Sequence, residues 1–324
     1  MIIEVFGLNS QPNPNALKIF QSISDFNSDK KTIVTLGTFD GVHIGHKKII
    51  EKLIQNAQAS GCESLILTFY PHPRMVLQEK SEIKLLNTMA EKILLLENTG
   101  LENLIIHPFD ENFSRLTAEE FVADVLVAKF NIQKIIIGHD HRFGRNRTAD
   151  INDLIVFGEQ YGFEVEQISA QEIDEVSVSS TKIRNALHEG NTALARQYLG
   201  YDYFLSGTVV KGKQLGRTIG YPTANISIKD DYKLLPKIGV YAIKSTIGRQ
   251  TVFGMMNIGT NPTVGGTALS VEVHFFDTDT DLYDQELEIF ILHFLRDEQK
   301  FGSLDLLKQQ LANDKLNALA FINQ

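Results

Sequence analysis

Along the first two hundred residues, short β-branched runs alternate with stretches whose apolar residues recur every three or four positions. Residues 32–36 read as a strand. Over 47–59, Ile49, Ile50, Leu53, Ile54 and Ala57 share one helix face, and 64–69 is again a strand. Strand, helix and strand within forty residues form the βαβ unit of a parallel sheet. The alternation continues with helices over 89–97, 118–130 and 152–161 and strands over 104–107, 134–138 and 163–167. The pattern predicts an open, doubly wound α/β domain that binds ligands at the carboxyl ends of its strands.

Near residue 200 the pattern changes. Strands over 204–210, 240–245, 251–257, 270–276 and 287–295 follow one another with Gly- and Pro-rich turns between them, and a helix over 304–322 closes the sequence. That succession predicts a small antiparallel barrel or sandwich with a terminal helix. A helical segment over 181–199, interrupted at Gly190 and Asn191, marks the junction. The expected division is a first domain over 1–185, a helical linker over 186–200 and a second domain over 201–324.

Composition sharpens this picture by exclusion. The 324 residues are 43% hydrophobic and 22% charged, an ordinary globular balance that favours two cores over one. A single cysteine, Cys62, rules out an intramolecular disulfide framework and cysteine-rich zinc sites. A net charge of -9 argues against a general polyanion binder, so no nucleic-acid partner is expected. The apolar runs are far short of the roughly 20 residues that span a bilayer, and Glu4 interrupts the opening apolar residues. The expectation is a soluble cytoplasmic protein with no membrane partner.

The first constellation is the turn Gly37-Thr38-Phe39-Asp40-Gly41-Val42-His43-Ile44-Gly45-His46, between a strand and a helix. Glycines let the backbone approach a ligand, and a helix start offers N–H groups to phosphate. The spacing is not that of the dinucleotide fingerprint. His43 and His46 at such a turn can donate to phosphate oxygens whose charge grows during phosphoryl transfer. A metal pair or two surface histidines are the alternatives. In Ser179-Ser180-Thr181-Lys182-Ile183-Arg184, a helix start carries an arginine one turn in, able to reach back to an anion; a plain cap with a solvated arginine is the other reading. Between the two lies the polar, basic loop Gly138-His139-Asp140-His141-Arg142-Phe143-Gly144-Arg145-Asn146-Arg147, which either holds a nucleotide or a phosphate-bearing cosubstrate or is a solvated loop.

The turn with His43 and His46 and the Ser180-Thr181-x-x-Arg184 segment resemble the nucleotidyltransferase superfamily. The strings TLGTFDGVHIGH, TFYPHP and VSSTKIR resemble the FMN adenylyltransferase module of bacterial bifunctional riboflavin kinase/FAD synthetases. That resemblance implies a Rossmann-like nucleotidyltransferase fold. It implies ATP contacts at Gly37, Phe39, Asp40, Gly41, His43, His46, Ser180, Thr181 and Arg184, and flavin contacts at His72, Pro73, Asp140, Phe143 and Arg147. The family more often has an aromatic at the position of His141 and a glycine at that of Ala149.

A second constellation lies beyond residue 200. Gly207-Thr208-Val209-Val210-Lys211-Gly212-Lys213 nearly satisfies the P-loop pattern but fails at Gln214, where Ser or Thr would meet Mg²⁺. The run Gly216-Arg217-Thr218-Ile219-Gly220-Tyr221-Pro222-Thr223-Ala224-Asn225 offers two neutral oxygen ligands of the kind Mg²⁺ accepts, or else is a turn-rich connection. Strand alternation places Glu272 on the same face as His274, at the inner side of a barrel mouth, either as a general base or as a solvated edge charge.

GRTIGYPTAN, the Leu235-Pro236-x-x-Gly239 and Asn257-Ile258-Gly259-x-x-Pro262-Thr263 segments, VEVHFFD, and Leu295-Arg296-x-Glu298-x-Lys300-Phe301 resemble the flavokinase module of the same family. The resemblance implies a riboflavin kinase-like barrel with Glu272 as base and Thr223 and Asn225 at the metal. Gly212, Lys213, Gly216, Arg217 and Gly220 would cover ATP together with Thr223 and Asn225. It implies Mg²⁺ with ATP, riboflavin and FMN as substrates rather than prosthetic groups, and a monomer or weak homo-oligomer. Two rivals stay open: a nucleotidyltransferase acting on another phosphate, such as phosphopantetheine, and a non-catalytic flavin carrier.

Overall fold

The computed structural model describes residues 16–78, 83–138, 142–169, 178–212, 216, 219–263, 266–278 and 280–323, with the backbone alone for 261–263 and 266–268. The chain divides into two compact units: Met1–Ile83 with Met89–Ser177, and Lys84–Thr88 with Val178–Gln324.

The first unit is a six-stranded parallel sheet. Its strands are β1 (Lys18–Phe20), β2 (Thr32–Leu36), β3 (Glu63–Tyr70), β4 (Asn103–Pro108), β5 (Ile132–Gly138) and β6 (Glu164–Ile168), in the order β1-β4-β3-β2-β5-β6. The chain moves outward from β2 through β3 to β4, then returns to the other side of β2 with β5. The switch point is the gap between β2 and β5, where open α/β sheets bind ligands.

Every residue of β2 is buried, as a strand covered on both faces requires. Val34, Leu36, Leu65, Leu67, Ile135 and Ile137 face a core built with Phe121, Leu126 and Phe130. Their neighbours Ile33, Ile66, Ile136 and Ile106 face the opposite core. That second core receives Ile49, Ile50, Leu53 and Ala57 of α1 (Ile44–Ser60), the face expected from the spacing. Gly61 ends α1 at φ 66°, a left-handed position that suits glycine.

Smaller helices fill the connections: α2 (Pro73–Leu77), α3 (Met89–Glu97), α4 (Glu111–Ser114), α5 (Ala118–Glu120) and α6 (Ile151–Tyr161). The helix expected over 118–130 is α-helical only in α5 and then π-helical over Phe121–Val127, where the Ala128 N–H donates to the Ala123 carbonyl at 3.0 Å. Periodicity over so few turns does not distinguish 3.6 from a wider winding. β1 escaped the pattern because it is three residues long and largely exposed.

In the second unit, α7 (Ser180–His188) and α8 (Thr192–Leu199) flank the expected break. Gly190 takes φ 78°, and the Asn191 side chain accepts from the Leu194 N–H at 3.1 Å. Ile183, Ala186 and Leu187 are buried in this unit's core, which is why α7 belongs to it.

The strands β7 (Phe204–Val210), β8 (Ala224–Ser227), β9 (Gly239–Ile247), β10 (Gln250–Thr263), β11 (Gly266–Phe275) and β12 (Glu286–Arg296) close into an antiparallel barrel in the order β10-β11-β8-β7-β12-β9. Closure leaves no unpaired edge. Leu205, Val209, Ile226, Ile243, Ile258, Val271, Val273 and Ile289 fill the interior. The sequence Ala-Asn-Ile-Ser of β8 is short and half polar, so it carried no strand signal. The terminal helix α9 (Leu304–Ile322), started by Ser303 accepting from the Leu306 N–H at 3.3 Å, covers an outer patch of Val240, Ala242, Met255 and Phe276 with Ala318.

The segment Lys84–Thr88 is stitched into the second unit. Leu85 pairs with Lys233, donating to the Tyr232 carbonyl at 2.7 Å and accepting from the Leu234 N–H at 2.8 Å. The ammonium of Lys233, a residue only 3% exposed, donates to the Leu86 carbonyl at 2.7 Å and lies 4.4 Å from the centre of the Tyr203 ring.

Candidate active sites

In the first unit, Gly37–His43 connects β2 to α1 at the switch point. Gly37 still continues the sheet, its N–H donating to the Leu67 carbonyl at 3.1 Å. The chain then turns sharply through Phe39 (φ 45°), Gly41 (φ 92°) and Val42 (φ 35°). Two of these three left-handed positions are not glycine, so the turn is strained and held by its surroundings.

His43 is the N-cap of α1, and its Nδ1 accepts from the His46 N–H at 3.4 Å. That bond leaves the proton of the neutral ring on Nε2, as a donor. The two imidazoles stack at 3.6 Å between centroids, and the His46 ring also meets Phe39 at 5.1 Å. Burial pushes the His43 pKa down to about 4. His46 falls well below its ordinary value by burial, then by the charges of His43 and Lys92. Both rings are therefore neutral near pH 7. The His46 Nδ1 is buried without a hydrogen-bond partner among the described residues. Asp40 is 2% exposed within the same turn. Among the described residues no three His, Cys, Asp or Glu side chains gather as a metal cluster.

His72 and Pro73 follow β3, the neighbour of β2, at the same end of the sheet. His72 caps α2, its Nδ1 accepting from the Arg74 N–H at 3.1 Å. The Phe143 ring, 6% exposed, packs in the core 6.1 Å from Phe121, while Arg147 is exposed at φ 56°. Gly144 takes φ 71°, and a Cβ there would press on the Ala118 backbone. Ala149 sits comfortably in the core and exchanges two backbone hydrogen bonds with Phe143, so this position does not demand glycine. Asp140 and His141 lie outside the described residues.

Ser180, Thr181 and Arg184 belong to the second unit. The capping residue of α7 is Ser179, which accepts from the Lys182 N–H at 3.3 Å, so Ser180 and Thr181 occupy the first turn. Arg184 Nε donates to the Lys84 carbonyl at 2.9 Å.

The second unit also contains a cavity of about 280 Å³ between the barrel wall and α9. Glu272 lines it, but not from inside the barrel as expected. Val271, Val273 and Phe275 turn into the interior, so alternation sends Glu272 and His274 to the outer face. Glu272 stands directly opposite Asn257 of β10 on one side and Asn225 of β8 on the other. Paired cross-strand side chains share a face, roughly 5 Å apart, so Asn257, Glu272 and Asn225 form a polar row across three strands. Thr223, two residues before Asn225, lines the same cavity.

Gly212 packs against this row, where a Cβ would strike the Asn225 amide. Gly216 accepts from the N–H groups of Ile219 at 3.1 Å and Tyr221 at 2.9 Å. Gly220, at φ 84°, completes the turn. Lys213 and Arg217 lie outside the described residues. Burial lowers the His274 pKa against a raising hydrogen bond from Nδ1–H to the Pro222 carbonyl at 2.8 Å.

The opposite wall carries Arg296, Glu298, Phe301, Leu307, Leu311 and Asp314. The sequence motif contained Arg296 and Glu298 but gave no hint of Asp314, which reaches the cavity from α9. Gly259 lies nearby, where a Cβ would displace the Glu298 carboxylate and the Asn257 amide.

A doubly wound sheet with a histidine turn at its switch point and a closed barrel with a polar outer cavity define a two-module enzyme. The FAD synthetase family model matches residues 25–182, and the riboflavin kinase family model matches 199–322. The bifunctional riboflavin kinase/FMN adenylyltransferase of Escherichia coli K12 is 36% identical over 290 residues, 89% of this chain and 92% of that protein. Its counterpart in Listeria monocytogenes is 37% identical over 91% of this chain and 93% of that protein. A solved structure from Streptococcus pneumoniae, described as a macrolide-efflux protein, superposes with a TM-score of 0.84 at 31% identity, covering 93% of this chain and 97% of that one. Among the described residues no helix is long and apolar enough to cross a membrane. The chain belongs to the bacterial bifunctional riboflavin kinase/FMN adenylyltransferase family.

Proposed function

We propose that the chain makes flavin cofactors in two ATP-dependent steps, with kinase chemistry at the outer barrel cavity and adenylyl transfer at the switch point of the sheet. In the first step the 5′-hydroxyl oxygen of riboflavin bonds to the γ-phosphorus of ATP, the bond from that phosphorus to the β-phosphate oxygen breaks, and ADP leaves with FMN formed. Glu272 takes the hydroxyl proton. Met255, Leu307 and Leu311 give the cavity an apolar wall suited to a flavin ring. Gly212, Lys213, Gly216, Arg217 and Gly220 cover the nucleotide.

Thr223 and Asn225 are the residues that would hold Mg²⁺. Their neutral oxygens fit a hard cation whose remaining ligands are phosphates and water; the pairing of Asn225 with Glu272 and the place of Thr223 in the cavity wall support that role. When bound, the ion neutralises charge developing on the transferred phosphate.

In the second step an oxygen of the FMN phosphate bonds to the α-phosphorus of another ATP. The bond to the β-phosphate breaks, and pyrophosphate leaves with FAD formed. The nucleophile is already ionised, so the demand is orientation and charge stabilisation. His43 donates through Nε2 to phosphate, with His46, Gly37, Phe39, Asp40 and Gly41 of the same turn; by the family resemblance, Ser180, Thr181 and Arg184 are phosphate contacts as well. His72, Pro73, Asp140 and Arg147 hold the flavin, with Phe143 shaping the loop from the core side. The functional division is 1–185 for adenylyl transfer, 186–200 as linker and 201–324 for the kinase. A cytoplasmic monomer or weak homo-oligomer, acting on small molecules without nucleic acid, completes the reading.

The observation that supports this assignment is the cavity lined by Thr223, Asn257 and Glu272, with Asn225 directly opposite Glu272, within the region matched by the riboflavin kinase model. A chromatographic time course with riboflavin, ATP and Mg²⁺ tests it. FMN should appear first and give way to FAD. FMN alone would remove the adenylyltransferase half, and no product despite flavin binding would favour a carrier.

A further inference from the structure

Lys92 lies outside every motif considered so far. It sits on α3 one turn before the fully buried Leu96 and is itself 5% exposed. Its ammonium donates to the Thr38 carbonyl at 2.7 Å, an oxygen that also receives the Thr68 hydroxyl at 3.4 Å. The ionisable groups that act on it across the contact are Asp40 of the turn and His46 of α1, and Glu91, 1% exposed, is its neighbour on α3.

A peptide unit is planar and trans, so its carbonyl and N–H point in opposite directions. Drawing the Thr38 carbonyl inward therefore turns the Phe39 N–H the other way. The same grip holds Phe39 at φ 45°, at the start of the strained turn that leads to His43. A buried cation behind this turn also favours polyphosphate in front of it, because screening is weak there.

We infer that Lys92 is a positioning residue for adenylyl transfer, holding the Thr38 carbonyl so that the turn presents its donors to ATP and keeping a positive charge behind them. The inference rests on the adenylyltransferase reading of this turn. Lys92 touches no reacting atom and acts through the peptide it grips. Burial brings its pKa down to about 8 against the opposing pull of Asp40, so its charge is lost as pH rises through that region.

The test uses the full chain with FMN and ATP supplied, across pH 6 to 10, for the parent, Lys92→Met and Lys92→Arg, with riboflavin phosphorylation as internal control. Lys92→Met should lower kcat/KM for FAD formation about 10²-fold, the scale of a misplaced catalytic constellation, and leave FMN formation unchanged. The parent's FAD formation should fall above about pH 8. Lys92→Arg should recover most of the activity and lose that alkaline decline, because arginine stays charged. A folded Lys92→Met within about threefold of the parent would overturn the inference. So would an alkaline decline that survives in Lys92→Arg, a result readable even if Lys92→Met does not fold. A parent that forms FMN but no FAD would instead remove the adenylyltransferase reading itself, and the inference with it.

Discussion

Arg296 and Asp314 join β12 to α9 through two parallel charge-assisted hydrogen bonds, Nε to Oδ1 at 2.8 Å and Nη2 to Oδ2 at 2.7 Å. Asp314 is 1% exposed and also accepts from Gln310 at 2.8 Å, while Arg296 lines the cavity. Removing one partner leaves a desolvated charge, at a cost of about 3–5 kcal/mol. Asp314→Ala should therefore loosen α9, lower the unfolding midpoint and depress FMN formation, while supplied FMN is still adenylylated. The double change Arg296→Met with Asp314→Leu should recover much of the stability but not the kinase activity. Thermal unfolding alongside the two product assays separates these effects.

Glu272→Gln preserves the shape of the polar row and removes the proton acceptor. FMN formation should fall by about 10²–10⁴, with adenylylation of supplied FMN intact. Equal loss of both activities in a folded protein would contradict the two-site assignment.

For the histidine turn the expectation is reciprocal. His46→Ala should reduce FAD formation by about 10²–10³ while FMN accumulates from riboflavin. His43→Ala should act in the same direction and also weaken the start of α1, where its Nδ1 caps the His46 N–H.

Acid stability reports on the same pair. The folded pKa of His43, about 4, lies below the 6.5 of the unfolded chain. The unfolded state therefore takes up the proton first, and stability falls as pH drops from 6.5 to 4. The slope is about 1.4 kcal/mol per pH unit and the total about 3 kcal/mol. Above pH 6.5 this group contributes no dependence. Urea midpoints at pH 7 and pH 5 should diverge less in His43→Gln than in the parent.

Gly212→Ala would force the Asn225 amide away from Glu272's face. The expected result is a raised Mg²⁺ requirement for FMN formation with little change in FAD formation, measured by metal titration of both assays.

Much of this arrangement was legible before any coordinates. The α1 face was readable because Ile49, Ile50, Leu53 and Ala57 repeat at helical spacing. The turn between β2 and α1 was readable as a candidate site because its parts are contiguous from Gly37 to His46. The alternation that paired Glu272 with His274 was correct, yet it could not say which face was the barrel interior. That depended on Val271 and Val273 filling the core and on α9 covering the other side. Lys92 and Asp314 escaped because each acts through a tertiary contact with no local signature. A charged residue four positions before a buried leucine, as Lys92 precedes Leu96, was the one available clue. The π-helical winding over Phe121–Val127 has no sequence signal that we can identify.

The path of Lys84–Thr88 bears on how such a chain can be rearranged by recombination. These five residues are written in the first half of the gene but join the core of the second unit and add a single β-bridge to it, with Leu86 fully buried and the Lys233 ammonium on its carbonyl. A single crossover near residue 178 would deliver a barrel lacking that piece. Lys233 would lose the Leu86 carbonyl that its ammonium meets at 2.7 Å. Inheritance of the second unit as an independent cassette therefore requires either two exchanges or a recipient that already supplies an equivalent segment.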